Sequence, residues 1–312
     1  MERVTRILAV LDPTTDAQPA LDRAAAVARA NGASLELLLC YYNEYLAEEH
    51  ARPFPSLEEA RRELVGNLER RLEEAAAPLR SSGLDVTTTF LWEHPLYRGI
   101  ARHAAATNAD LVFKDTHQHS VLARALFSHT DWELIRSCAS PLWLVKPGAW
   151  PDKPVFVVAV DPMNEHDKPA ALDDELLSAA KVLAKATGAE VHAFHAFDPR
   201  LALAAGTANA YIPVSLPFDE IEASMRKEHG ARFDELVAFH GIPKERSHLV
   251  SGATHDALPE LARELGASLV VMGAVARRRL QRLIIGSTAE RTLEHLPCDL
   301  LVIKPPWFES AP

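Results

Sequence analysis

The fold is decided by a stretch that the chain contains twice. Arg6–Pro13 reads RILAVLDP, and Val155–Pro162 reads VFVVAVDP. Both are short apolar runs that end in Asp-Pro, and Asp161 stands 149 positions after Asp12. Such runs are typical of strands that are buried on both faces of a sheet. Because the run returns with the same ending, it predicts an internal repeat.

The closing segments of the two copies match as well. Pro141–Pro147 reads PLWLVKP and Asp299–Pro305 reads DLLVIKP, which places Lys304 158 positions after Lys146. The offset grows from 149 to 158, so the second copy contains a net insertion of nine residues. We therefore predict two like domains, residues 1–147 and 154–312, joined by a short Pro- and Trp-containing segment.

Strand-length apolar runs alternate with stretches of helical period in both copies. This alternation predicts parallel sheets covered by helices on both faces and linked by right-handed crossovers. The fold class that we predict is α/β, with two tandem doubly wound (Rossmann-like) domains, each with a five-stranded parallel sheet. Ligands of such sheets bind beyond the carboxyl ends of the strands.

Composition argues against several classes of function. The chain has 312 residues, is 48% hydrophobic and carries a formal net charge of −10, which disfavours nucleic acid as a partner. We find neither a secretory signal nor an apolar run long enough for a membrane span. Its three cysteines have neither disulfide-framework nor zinc-finger spacing, so we expect buried free thiols and a cytoplasmic location.

An acidic residue ends the first strand of each copy. Asp161, before Pro162, is placed to accept hydrogen bonds from a ribose or an amide. The alternative is a turn or capping aspartate, since Asp-Pro is common in loops. Asp12 in the first copy has the same two interpretations.

The segment after the fourth strand of the second copy carries the strongest signal. It reads GAVARRRLQRLIIGST over residues 273–288. Glycine at 273 lets a ligand approach the backbone, and residues 286–288 open a helix whose free N–H groups attract an anion. Ser287 or Thr288 can also serve as the helix N-cap. Arg277, Arg278, Arg279 and Arg282 form a phosphate clamp, a contact for an acidic partner or a solvated charge run.

This segment resembles the ATP-binding loop of the universal stress protein family. The motif of that family is glycine, two residues, glycine, nine residues, glycine, and then serine or threonine. Gly273, Gly286 and Ser287 match it, and the last strand with Lys304-Pro305 is also similar. The resemblance covers residues 3–305 and implies a stress-response protein with an adenine nucleotide, ATP or AMP, in the second domain. The ligand-contacting residues that we predict on this basis are Asp161, Met272, Gly273, Ala276, Arg277, Arg279, Gly286, Ser287 and Thr288.

The chain departs from the motif in both copies. Ala276 replaces the second glycine, and alanine resists a left-handed backbone by about 1–2 kcal/mol. In the first copy, alignment places Asp115 over Gly273, Gln118 over Ala276 and Ser128 over Gly286. A carboxylate at the phosphate position opposes ATP by both charge and size. We therefore expect a degenerate nucleotide loop in the first domain.

Two further segments leave alternatives open. His117 and His119, with Asp115, His129 and Asp131 nearby in sequence, are either weak metal-ligand candidates or members of a structural loop that docks on the partner domain. Leu201–Phe218 has no charged residue, and its glycine and prolines exclude a membrane helix. That segment is a lid over an apolar ligand, a dimer surface or simple packing.

We find no catalytic motif of a hydrolase, redox or metalloprotease type and no P-loop lysine. The sequence therefore predicts a non-enzymatic binding protein. The alternatives are a carrier of an apolar, lipid-like ligand and a weak ATP hydrolase. As partners we expect intramolecular pairing of the domains through their last strands, a homodimer and a regulatory protein.

Overall fold

The computed structural model describes residues 3–47, 54–116, 128–163, 171–200, 218–274, 292–305 and 308. The chain forms two compact units. The first unit comprises residues 3–150, and the second comprises the described residues from 151 to 305.

The described part of the first unit alternates five strands with four α-helices. Its elements are β1 (Arg6–Val10), α1 (Pro19–Asn31), β2 (Ser34–Tyr41), α2 (Pro55–Ser81), β3 (Val86–Trp92), α3 (Leu96–Ala106), β4 (Leu111–Asp115), α4 (His129–Ser137) and β5 (Leu142–Val145). A 3-10 turn, Glu44–Leu46, follows β2.

The second unit repeats this order. Its described elements are β6 (Val155–Ala159), α5 (Ala171–Thr187), β7 (Glu190–Phe197), α6 (Phe218–Phe239), β8 (Ser247–Ser251), α7 (Thr254–Glu264), β9 (Leu269–Gly273) and β10 (Asp299–Ile303). A 3-10 turn, Lys244–Arg246, precedes β8, and residues 292–295 are helical.

The strands are parallel in both units. They lie in the order β3-β2-β1-β4-β5 in the first unit and β8-β7-β6-β9-β10 in the second. The strand order therefore reverses between β1 and β4 and between β6 and β9. Open α/β sheets bind ligands at this reversal, beyond the carboxyl ends of the strands. The predicted fold class is confirmed.

The strand registers support the alignment of the two copies. Lys114 pairs with Val10 in the first unit, and Met272 pairs with Ala159 in the second. Since Val10 and Ala159 are each two residues before the strand-ending aspartate, Lys114 and Met272 occupy equivalent positions. Asp115 and Gly273 are equivalent for the same reason.

Apolar side chains on both sheet faces form the core of each unit. In the first unit Phe113 stacks on Trp143 at 4.9 Å between ring centroids, and both rings are fully buried. In the second unit Phe156, Phe194 and Phe233 are fully buried. Burial of each such ring contributes about 2–3 kcal/mol to the free energy of unfolding relative to exposure. These rings therefore stabilise the sheet of each unit.

Proline determines where several of the strands and helices begin and end. β1 and β6 end two residues before the aspartates, because each aspartate precedes a proline that donates no N–H and restricts the residue before it. Helix α1 begins at Pro19, since proline suits the first helical position. The sheet edges therefore start at Leu11 and Val160.

Cys40, Cys138 and Cys298 are buried free thiols, as predicted. Cys40 is the penultimate residue of β2, and burial raises the pKa of its thiol to about 12. None of the helices in the described part of the chain is long and apolar enough to cross a bilayer.

Candidate functional site

The carboxyl edge of the second unit brings together three of the predicted ligand-contacting residues. Asp161 follows β6, while Met272 and Gly273 end the neighbouring strand β9. All three are partly exposed, which leaves their polar atoms within reach of a ligand. Gly273 pairs with Ile303 of β10, so its backbone lies in the sheet and no side chain extends from it at this edge.

A peptide bond at this edge is held from both sides by buried ionisable side chains. The Asp161 N–H donates to both carboxylate oxygens of Asp173, at 3.1 and 3.2 Å. The Val160 carbonyl lies 3.1 Å from Nδ1 of His195. Asp173 is 2% exposed and His195 is 3% exposed. The peptide that carries Asp161 is therefore fixed by α5 at its amide and by β7 at its carbonyl.

A second histidine extends this arrangement into helix α6. Nε2 of His195 lies 2.8 Å from Nδ1 of His229, and the two ring planes are 16° apart. His229 is buried and contacts Phe197, the last residue of β7, at 5.2 Å between ring centroids. The sequence does not connect His195 with His229, because a histidine in an apolar strand is compatible with simple burial. Their separation of 34 residues gives no local signal.

The remaining predicted ligand-contacting residues are Ala276, Arg277, Arg279, Gly286, Ser287 and Thr288. They lie outside the described residues, as do residues 201–217 of the uncharged segment. Their roles stay predictions.

The equivalent acid of the first unit is used in a turn. Asp12 Oδ1 accepts hydrogen bonds from both the N–H and the hydroxyl of Thr14, each at 2.7 Å. The Gln18 side chain spans the same residue, accepting from the Asp12 N–H at 3.1 Å and donating to the Asp12 carbonyl at 2.7 Å. These hydrogen bonds are those of a turn residue, which is one of the two interpretations made from the sequence.

A buried ion pair lies where β4 ends in the first unit. Nζ of Lys114 is 2.7 Å from Oδ1 of Asp131, which is fully buried in helix α4. Oδ2 of Asp131 accepts the N–H and the hydroxyl of Ser128 at 2.7 and 2.9 Å, and Ser128 caps the helix in return. A carboxylate of the chain itself therefore occupies the positive end of this helix.

Asp115 places a second carboxyl group at this edge. Its Oδ1 accepts the N–H of Ala20, in the first turn of α1, at 2.8 Å. Its Oδ2 is buried and has no hydrogen-bond partner among the described residues. Burial raises the pKa of Asp115 to about 7, although Lys114 and Arg23 act in the opposite direction. This carboxyl group is therefore partly protonated at neutral pH.

The metal candidates His117 and His119 lie outside the described residues. His129 is described: it opens α4 and meets Tyr97 edge-on, with ring centroids 6.5 Å apart. Within the described ranges no three histidine, cysteine or acidic side chains come together in a way that could hold a metal ion.

Each unit has a cation–π contact between its long helix and a strand end, on β3 in the first unit and on β7 in the second. An arginine of the long helix lies over an aromatic ring at the end of the sheet: Arg61 over Trp92 at 4.9 Å in the first unit, and Arg226 over Phe197 at 5.3 Å in the second. On the opposite face of β7 from His195, His192 stacks on His248, with Nδ1 of the first 3.0 Å from Nε2 of the second. Burial lowers the pKa of both rings.

Comparison with known proteins agrees with this architecture. The sequence model of the Universal stress protein family matches residues 3–146 and again residues 155–304. Universal stress protein E of Photorhabdus laumondii is 31% identical over 317 residues, which span 99% of this chain and 98% of that protein. The Escherichia coli K12 protein of the same name is 30% identical over 315 residues, 99% of this chain and 97% of its own. The resemblance seen in the sequence is thus confirmed.

A solved structure shows the same fold. The universal stress protein from Archaeoglobus fulgidus DSM 4304 superposes with a TM-score of 0.65 and covers 96% of this chain and 98% of its own, at 18% identity. Two matches to one family model, relatives aligned along almost the whole chain, and a shared fold lead to one conclusion. The chain belongs to the universal stress protein family and carries that family's sequence pattern twice.

Proposed function

We propose that this chain is a non-enzymatic regulatory protein of the stress response that binds one adenine nucleotide, ATP or AMP, in its second unit. One observation carries the proposal. At equivalent strand ends the second unit has Met272 and Gly273, whereas the first unit has Lys114 and Asp115. The first unit therefore has two charged residues at the positions where the second has a methionine and a glycine.

Electrostatics favours the second unit for a phosphate group. In the first unit the helix N-terminus is already neutralised by Asp131, and Lys114 is already paired with it. A phosphate there would also meet the Asp115 carboxyl group, whose free oxygen is buried. Glycine at 273 imposes neither a charge nor a side chain, and Asp161 beside it offers a carboxylate to ribose hydroxyls.

The absence of a P-loop lysine motif from the sequence supports binding rather than hydrolysis. We expect phosphate release from ATP to stay near the buffer rate. Turnover that disappears with Asp161→Ala would instead favour the hydrolase.

Titration calorimetry with ATP and AMP tests the proposal. Wild-type protein should bind one nucleotide per chain. Gly273→Asp should reduce the affinity for the nucleotide more than about 100-fold, because it places a carboxylate at the position equivalent to Asp115 of the first unit. Asp115→Ala, the matched change in the first unit, should bind as wild type does. Two sites per chain, no binding at all, or full binding by Gly273→Asp would contradict the proposal.

A further inference from the structure

We propose that His195 and His229 are positioning residues of the second unit's nucleotide site, acting by holding the peptide that carries Asp161. The inference rests on the function proposed above. It assigns these histidines no contact with the ligand. They act through Val160, whose carbonyl shares one planar peptide unit with the N–H of Asp161.

The peptide is restrained at both of its polar ends. Asp173 accepts from its N–H, and Nδ1 of His195 faces its carbonyl at 3.1 Å. A planar unit held at both ends cannot rotate about the chain without breaking a buried hydrogen bond. Since the next backbone atom is the Asp161 Cα, this restraint fixes the point from which the Asp161 side chain leaves the sheet.

For neutral rings, the geometry also determines which nitrogen of each histidine carries the proton. A carbonyl oxygen only accepts, so Nδ1 of His195 must carry a proton. In the neutral ring its Nε2 is then an acceptor, and Nδ1 of His229, at 2.8 Å, must be the donor. The hydrogen bonds therefore run from His229 to His195 to Val160. The nearly coplanar rings suit this direction, because the N–H and lone pair lie in the ring planes.

The first unit has no histidine at the position of His195. Its β1 residue Val10 pairs with Leu38, as Ala159 pairs with Phe194, so Leu39 stands where the second unit has His195. Leu39 is 2% exposed and apolar. There the neutral side chain of Gln18, six residues along the chain, spans Asp12 instead. The buried histidines thus accompany the edge at which we propose that the nucleotide binds.

Preorganisation of a recognition group raises affinity because the ordering cost is met before binding. Replacing His195 by leucine, the residue of the first unit, should free the Val160 carbonyl and weaken ATP binding about tenfold. His195→Asn keeps a donor near the position of Nδ1 and should stay within about threefold of wild type. His229→Phe removes the donor to His195 while keeping a ring against Phe197, and should fall between the two.

The test combines calorimetry with ATP and ¹⁵N NMR of the histidine side chains in the full-length protein. We expect His195 to be the Nδ1-protonated tautomer, with its signals assigned by their loss in His195→Asn. Normal ATP binding by a folded His195→Leu would overturn the proposal. Equal weakening in His195→Leu and His195→Asn would overturn it too, because it would show that the ring matters only for packing.

The outcomes separate this proposal from the function on which it rests. Wild-type protein that binds no nucleotide would remove the proposed function. The tautomer measurement would then still decide whether the histidines hold the peptide, and an Nε2-protonated His195 would overturn that by itself. If His195→Leu does not fold, His195→Asn and His229→Phe carry the affinity comparison.

Discussion

The two sheet edges have the same strands and opposite chemistry. In the first unit charged side chains lie at the edge itself and satisfy one another, as Lys114 does with Asp131. In the second unit the buried side chains of Asp173 and His195 hydrogen-bond to the backbone below the edge, and the described residues at the edge include Asp161 and Gly273. A doubly wound fold can therefore change the chemistry of its sheet edge through few residues at equivalent positions.

The largest effect that we expect comes from breaking the ion pair that closes the first edge. Lys114→Met copies Met272 and leaves Asp131 buried without its cation, which should cost about 3–5 kcal/mol in the free energy of unfolding. Adding Asp131→Asn should recover much of this loss. Urea unfolding measures both variants.

Lys153→Met is the matched control, because Lys153 is exposed, and it should change stability by less than about 0.5 kcal/mol. If Lys114→Met alone is as stable as wild type, the ion pair of Lys114 and Asp131 does not stabilise the first unit.

Removing the charge of Asp115 should change how stability depends on pH. The carboxyl group has a pKa of about 7 in the folded chain, against about 3.9 when unfolded. As pH rises from 4 to 7 the unfolded chain loses this proton first, so the folded state loses stability. Relative to Asp115→Asn, wild type should therefore lose up to about 4 kcal/mol between pH 4 and pH 8. Thermal unfolding across this range measures the difference.

Asp110→Asn provides a control of opposite sign. Burial raises the pKa of Asp110, but hydrogen bonds from Thr5 and Arg6 outweigh it and the net pKa is lowered. Its stabilising effect is complete above the unfolded pKa, so the difference between Asp110→Asn and wild type should be constant from pH 5 to pH 8. A constant difference for Asp115→Asn as well would mean that its carboxyl group titrates normally.

Much of the fold is contained in short stretches of the sequence. The two Asp-Pro strands and the two Lys-Pro strands were enough to predict the repeat and its insertion, and the fourth strand of each copy gave the alignment of Asp115 with Gly273. Apolar strands carry this information because both faces of the sheet are buried, so the residues that point to either face are apolar and form a continuous run. The structure agrees with that alignment through the pairing of Lys114 and Met272 with their neighbouring strands.

The charged contacts were harder to predict because they join distant residues. A lysine inside the buried strand LVFKD signals that an acid must lie nearby, yet nothing in the strand says that the acid is Asp131. His195 and His229 gave still less, since a histidine in an apolar strand is compatible with simple burial. Contacts between a strand and a later helix depend on packing, which the local pattern does not contain.

A smaller effect tests the cap of helix α4. Ser128→Ala removes the hydroxyl that accepts from the Asp131 N–H and donates to its carboxylate, and should cost about 1 kcal/mol. Ser128→Thr keeps the hydroxyl and should unfold near the wild-type temperature. Equal melting temperatures for the alanine and threonine variants would contradict a capping role.

The smallest effect concerns the departure from the family motif in the second unit. Ala276→Gly should tighten ATP binding by a few-fold, because it restores a flexible backbone position. Arg277→Ala with Arg279→Ala should loosen binding if these arginines hold phosphate. Unchanged affinity in the double variant would assign the arginines to a partner surface. Calorimetry at fixed salt measures both.

The buried thiol of Cys40 bears on how such a protein meets oxidants. A pKa of about 12 leaves on the order of one thiolate in 10⁵ at neutral pH, and the thiolate is the form that peroxide attacks. Cys138 and Cys298 are shielded as well. The three thiols of this chain are therefore shielded from oxidants in solution by the packing around them.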